Sequence, residues 1–393
     1  MFRLYGWLSE MFHSVQNETL KTNVAPLKVN DESLAMLQRL LSKQVESPVI
    51  TNQIERKELA RIRQLTRGLN LNNVTRTMAY LQFFNQNPEV HWAFLAHMVS
   101  RNGGWNMTDL KGSLLTSFMS KSEQISYFSF LEKANALIFS DAYPQLLLYE
   151  LAKEKGPHLF SHLRLLNVSC FMEAVWRTFM HTGDRAFLTI GLIINEQHFI
   201  EKPVLLNPIF KTNVLETWQY QLQDLFQLTQ VIFPYMKSGK IRLSGLDVNQ
   251  FRQVSERIKI GKKLYTILFG VKEMTDGTIQ FAKERRHTGS REDYWPQVFS
   301  KNENKIGDEK RHSCRSNGAP FIYSPTLSVA WSNQEVEETG RIDWYKGKDV
   351  LDYFSTQSLS ESIDITEVYC ESLNHMMVIK KAKSKLFRPE SEE

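Results

Sequence analysis

From residue 31 to about residue 270, apolar positions recur every three or four residues, the period of a helix with one buried face. In DESLAMLQRLLSKQ, Leu34, Leu37, Leu40 and Leu41 share a stripe, and Asp31 or Ser33 can cap its start. The same period predicts helices at 51–67, 74–86, 89–101, 107–119, 122–139, 143–154, 168–181, 184–200, 212–235 and 247–268. Pro48, Pro88, Pro144, Pro157, Pro203, Pro208 and Pro234 fall at or near the proposed ends, where a missing N–H costs little. No fixed repeat runs through the series, which argues against a solenoid. The expected fold is mainly α, an irregular multi-helix bundle.

The pattern changes after about residue 280. KERRHTGSREDYWPQVFSKNENKIGDEKRHSCRSNGAP is polar and poor in aliphatics, with an aromatic island at Tyr294, Trp295 and Phe299. It reads as a polar loop or a surface strap pinned by that island. Helices are expected again at 325–334 and 348–355, and a last one through DITEVYCESLNHMMVIKKAKSKL, where the lysines suit a helix C-terminus. The division is therefore an N-terminal amphipathic segment and linker (1–30), a helical body (31–280), a polar strap (281–324) and a C-terminal helical region packed on the body (325–393). In MFRLYGWLSEMFHSV, Met1, Leu4, Tyr5, Leu8, Met11, Phe12 and Val15 form one stripe. With Arg3 its only strong cation, that stripe suits docking on protein more than peripheral membrane contact.

Composition adds limits more than direction. With 42% hydrophobic and 23% charged residues, the chain belongs among ordinary globular proteins. The +5 charge is spread over 393 residues, which argues against nucleic acid. Cys170, Cys314 and Cys370 lack any zinc-site spacing and read as reduced thiols in a cytoplasmic protein. The most apolar run, AFLTIGLII, is too short to cross a bilayer.

Chemistry concentrates in HWAFLAHMVSRNGGWNMTDLKG, residues 91–112. Helix punctuation accounts for part of it: Asn102, Gly103 and Gly104 suit a helix end, and Asn106 with Asp109 suits the start of the next. It leaves His91, His97, Arg101 and Trp105 unexplained. His97 and Arg101 are four apart and share a face, whereas His91 points elsewhere. A second polar group follows in FMEAVWRTFMHTGDRAFLTIGLIINEQHFIEKPV, with Glu173, Arg177 and His181 at four-residue spacing and then Glu196, His198 and Glu201. The bland reading is a Glu173–Arg177 ion pair on a solvated face. The sharper one brings His97, Arg101 and a carboxylate, Glu196 first and Glu173 second, into a cleft as an acid–base cluster.

No metal or cofactor is expected. His158 and His162 lack the glutamate of a zinc-protease motif, and GxGxxG, P-loop and GxSxG patterns are missing.

Through AHMVSRNGGWNMTDLKG, NEQHFIEKPV and HTGSREDYWPQVF, over most of its length, the chain resembles the YppC-like family of bacterial proteins of unknown function. That resemblance implies a cytoplasmic bacterial protein and carries no activity or site residue. The leading expectation is a protein that binds a partner or small ligand in a polar cleft between helices. An enzyme using His97, Arg101 and Glu196 is the alternative, and a membrane-surface or nucleic-acid accessory role a further one.

Overall fold

The computed structural model describes residues 22–24, 27–42, 53–216, 230–248, 253–307, 314, 319–335, 343–347, 350–355, 359–361 and 363–386. The amphipathic stripe expected over residues 1–15 lies outside them. The described chain is mainly helical. Helices α1 (Asp31–Leu41), α2 (Gln53–Leu69) and α3 (Asn73–Gln86) precede the long pair α4 (His91–Asp109) and α5 (Lys121–Lys155), followed by α6 (Cys170–Thr182) and α7 (Arg185–Phe199). A hairpin of β2 (Gln230–Lys237) and β3 (Lys240–Asp247) leads into α8 (Val254–Gly270) and α9 (Lys272–Glu284). The last long element is α10 (Thr366–Leu386).

Local chemistry explains many of these ends. The Asn72 side chain accepts from the Thr75 N–H while the Thr75 hydroxyl accepts from the Asn72 N–H, a closed capping box that starts α3. Ser120 and Glu123 do the same for α5, and Asp184 caps α7 through the Phe187 N–H. The core gathers Trp92, Phe94, Trp105, Phe139, Phe160, Phe171 and Trp176, all at most 1% exposed, from four consecutive helical stretches.

Several expected boundaries move. The helix expected to stop at residue 101 runs to Asp109, through Gly103 and Gly104, and the helix expected at 107–119 is replaced by turns after Leu110. Helices expected at 122–139 and 143–154 are one, because Pro144 sits inside α5. Of the helix expected at 212–235, residues 230–235 belong to β2. The Ser238–Gly239 pair between β2 and β3 has φ of 51° and 74°, the two positive values of a type I′ hairpin turn. The stretch 272–284, most of it inside the expected helical body but without a helix of its own in the period, is α9, and the helices expected at 325–334 and 348–355 shrink to single turns at Leu327–Ala330 and Leu351–Phe354.

Three two-stranded pieces complete the architecture. β1 (Thr22–Val24) pairs antiparallel with β6 (Leu359–Glu361), and β4 (Phe299–Ser300) pairs parallel with β5 (Ile322–Tyr323), besides the hairpin. Tyr294, Trp295 and Phe299 of the polar stretch are all buried, and so are His287, Ser290 and Arg291. Cys314 and Cys370, expected as free thiols, form a disulfide with Cα atoms 5.9 Å apart. The fold brings the end of the polar stretch against the first turn of α10, a proximity that a separation of 56 residues does not reveal. Among the described residues, no helix is long and apolar enough to cross a membrane.

Candidate functional site

His97, Arg101 and Trp105 follow one another at four-residue steps on α4 and therefore share a face. All three are buried, Arg101 and Trp105 completely. The His97 Nδ1–H donates to the Thr77 carbonyl at 2.7 Å, and burial together with the Arg101 charge holds the ring well below the usual imidazole range, hence neutral. Arg101 Nη2 donates to the Arg285 carbonyl at 2.8 Å, and its guanidinium carbon lies 4.6 Å from the Phe281 ring centroid. Burial pushes Arg101 down to about 10, against the pull of Asp293.

The expected carboxylate partners are elsewhere. Glu173 is held by Arg164 at 3.4 Å and Arg177 at 3.1 Å, so the simple Glu173–Arg177 pair is real, although Glu173 itself is buried. Glu196 accepts from its neighbour Gln197 at 3.1 Å and is pushed up to about 7 by burial. The carboxylate whose field reaches Arg101 is Asp293, from the polar stretch that the helical period did not connect to α4. The remaining candidates are dispersed. His91 stacks on Phe269 at 4.0 Å, its Nδ1 lies 3.0 Å from the Tyr265 hydroxyl, and burial, then Arg185, push it down to about 4. His181 is exposed near Glu32, His198 stacks on Trp344 at 4.2 Å, and Glu201 pairs with Arg257.

What completes the α4 stripe is HTGSREDY, residues 287–294. Asn73 Nδ2 donates to the Ser100 carbonyl at 2.8 Å, which turns its Oδ1 toward His287 Nε2 at 2.9 Å; that nitrogen must therefore carry a proton. On the other edge of the ring, Nδ1 lies 3.5 Å from Asp293 Oδ2. Burial pushes the Asp293 carboxyl up, but His287, Arg101 and the Thr288 N–H together hold it below the usual range.

Gly104 makes this contact fit. A Cβ there would stand 2.3 Å from Asn73 Oδ1 and 2.5 Å from His287 Nε2. Alanine in a helix interior ordinarily stabilises by about 1 kcal/mol over glycine. Gly104→Ala is expected to reverse that sign and destabilise by about 1–3 kcal/mol through overpacking. Gly68→Ala on α2, where a Cβ meets nothing within 4 Å, should keep the ordinary sign. Urea unfolding of the two variants side by side checks this.

Asn106 and Asp109, expected as caps, serve the same segment instead. The buried Arg291 donates to both Asp109 oxygens, Nη2 to Oδ2 at 2.7 Å and Nε to Oδ1 at 3.0 Å, and Nη2 also reaches Asn106 Oδ1 at 3.2 Å. Its Nη1 donates to the Tyr294 and Tyr369 hydroxyls at 2.8 and 2.7 Å. Asn102 pairs with β2 as a peptide would, donating to the Ile232 carbonyl at 2.7 Å and accepting from the Ile232 N–H at 2.9 Å. Sequence reasoning named none of His287, Arg291 and Asp293; the signal was a His, an Arg and an Asp packed against three aromatics in an otherwise solvated stretch.

Beside His287 a groove of about 360 Å³ opens to solvent. Asn72, Val74 and Thr75 at the start of α3, Phe128 and Glu132 of α5, residues 286–288 and the 326–333 segment line it. Phe128 and Trp331 stack at 4.1 Å, with the Lys111 ammonium 4.4 Å from the Trp331 ring centroid. Glu132, only 2% exposed, pairs with the equally buried Arg76 through Oε2 at 2.6 Å, while its Oε1 accepts no hydrogen bond among the described residues. Asn72 and Asn333 bridge the two rims at 2.9 Å.

The fold and this groove define a mainly helical protein in which a polar segment is built into the core to wall a small open site. The chain belongs to the family described as protein of unknown function (DUF2515), whose model matches residues 68–370. It is similar to the uncharacterized protein YppC of Bacillus subtilis (strain 168), at 39% identity over 315 residues that cover 80% of this chain and 91% of that protein. No solved structure matches it.

Proposed function

We propose that this chain is a cytoplasmic bacterial binding protein that takes a small polar ligand in the groove beside His287. The observation that carries the reading is Glu132 in the groove wall, a buried carboxylate with one oxygen left without a donor among the described residues. Such an atom is costly unless something supplies an N–H or O–H to it; it has no exposed surface here, so a ligand supplies the donor by drawing the Glu132 side chain toward the groove. Arg76 neutralises Glu132, and Asp293 stands behind His287, while Arg286 brings an exposed guanidinium to the lining. Recognition then falls to Arg286 and to hydroxyl and amide groups such as Asn72, Thr288, Ser328 and Asn333. The volume lies at the lower end of the range for small-molecule sites, about 300–1,000 Å³.

Ligand-observed NMR against a panel of amino acids, sugars and nucleosides tests this. At least one class should bind, and Ser328→Trp, an exposed substitution that fills the groove, should abolish binding without changing the urea midpoint. Binders indifferent to Ser328→Trp, or no binder in the panel, would contradict the reading.

The runner-up is acid–base chemistry, favoured by one observation: His287, unlike His97, lines the groove and has a carboxylate against its far edge. In that case His287→Asn should suppress turnover of the bound compound while leaving its affinity largely intact.

The cytoplasmic placement has its own check. That compartment keeps structural thiols reduced in most bacteria. With the Cys314–Cys370 bond held open by that compartment, protein denatured straight from cells under alkylating conditions should therefore show three reactive thiols, the full cysteine complement. A single reactive thiol, Cys170, would place the chain in an oxidising compartment with the Cys314–Cys370 bond formed.

A further inference from the structure

Helix α2 has two unlike halves. Leu59, Ile62 and Thr66 are buried against the body, where the helix packs on α5. The opposite half carries Arg56, Lys57, Arg61 and Arg67, all exposed, together with Ile54 at 60% and Leu65 at 41% exposure. At 3.6 residues per turn, Lys57, Arg61, Ile54 and Leu65 fall within roughly 80° of arc. Of the two acidic residues of the helix, Glu55 turns to His162 at 3.5 Å, and Glu58 is shared between two cations, Arg61 at 4.0 Å and Lys155 at 3.8 Å. Five cations against two carboxylates concentrate in these 17 residues a net charge of +3, out of +5 for the whole chain.

We propose that the outward half of α2 docks on the surface of an anionic phospholipid bilayer. Charge complementarity selects an anionic partner, since cations held near such a surface each strengthen binding. The two exposed aliphatic side chains select lipid over nucleic acid. A phosphate backbone would engage the cations and leave Ile54 and Leu65 in water, whereas the headgroup boundary of a bilayer takes cations and apolar side chains together. The contact is peripheral, with the helix lying along the surface, and it does not depend on what the groove beside His287 binds.

Co-sedimentation of the full chain with vesicles of phosphatidylcholine alone, and of phosphatidylcholine mixed with phosphatidylglycerol, tests the proposal. Binding is expected only to the mixed vesicles and should weaken as salt is raised. The triple variant Arg56→Gln, Lys57→Gln, Arg61→Gln should lose about a hundredfold in partitioning, roughly a factor of five for each cation removed. The double variant Ile54→Ser, Leu65→Ser should also lose partitioning while keeping every charge. All five positions are solvent-facing, so far-ultraviolet circular dichroism should match the parent. No sedimentation with the mixed vesicles, or equal sedimentation with both, would overturn the proposal. So would tighter binding to single-stranded RNA that the triple variant loses and the double variant retains, which would assign the face to nucleic acid.

Discussion

Replacing Arg291 by methionine is expected to lower the unfolding free energy by about 3–5 kcal/mol, the usual cost of removing one partner from a buried ion pair. The cost arises at Asp109, 3% exposed, which would be left among Trp105, Tyr294 and Tyr369 without its main donor. Burial alone would push the Arg291 guanidinium down, and Asp109 with the two tyrosine hydroxyls more than reverses this, so Arg291 stays charged throughout the accessible pH range. Adding Asp109→Asn to the arginine variant should recover part of the loss, and the two single changes should sum to more than the double. Urea unfolding of the four proteins measures the coupling. A loss under about 1 kcal/mol in the single variant would mean that water, not the segment 287–295, satisfies Asp109, as at exposed pairs.

The second large effect is in the helical body. Asp141, 4% exposed, accepts through Oδ2 from Asn195 and from Gln145, whose own amide oxygens take the indole N–H groups of Trp344 and Trp176. Burial outweighs those two hydrogen bonds and pushes the carboxyl from 3.8 up to about 7. The folded chain therefore holds a proton between pH about 4 and about 7 that the unfolded chain has released. Stability from this group is fully present below its ordinary value and is lost as pH rises through that window. A shift of about three units corresponds to about 4 kcal/mol at pH about 8. Asp141→Asn mimics the protonated form and should be more stable than the parent at pH about 8 by an amount of that order, with the difference vanishing near pH 4. A difference independent of pH would show that Asp141 titrates normally. Glu196, also pushed up to about 7 mainly by burial, adds a similar slope, which is somewhat smaller in the asparagine variant because the Asp141 charge contributes to its shift.

Helical period revealed most of the body because each helix has one apolar face turned to a common core. It failed where a different constraint decided. Pro144 was read as a boundary, yet it lies inside a helix of 35 residues. The hairpin was hidden because β2 is buried over Ile232–Tyr235 and so shows no alternation; its one legible mark was Ser238–Gly239 between two apolar runs. Gly103 and Gly104 looked like a helix end, but close packing of Asn135, Asn73 and His287 requires small residues there within a continuous helix. The site divides the same way. A His and an Arg on one buried face of α4 were legible, because polar groups on an apolar helix need partners. Which anion they meet was not, since Asp293 arrives through a polar stretch with no helical or strand period to place it.

Hydrogen exchange of the native chain, followed by mass spectrometry with and without a binder from the NMR panel, tests most directly the claim that residues 287–295 are core and wall a ligand groove. Peptides from 287–295 should exchange as slowly as those from α4, and the binder should add protection at 286–288 and 326–333. Exchange of 287–295 at the rate of an open loop, or ligand protection confined to other parts of the chain, would contradict it.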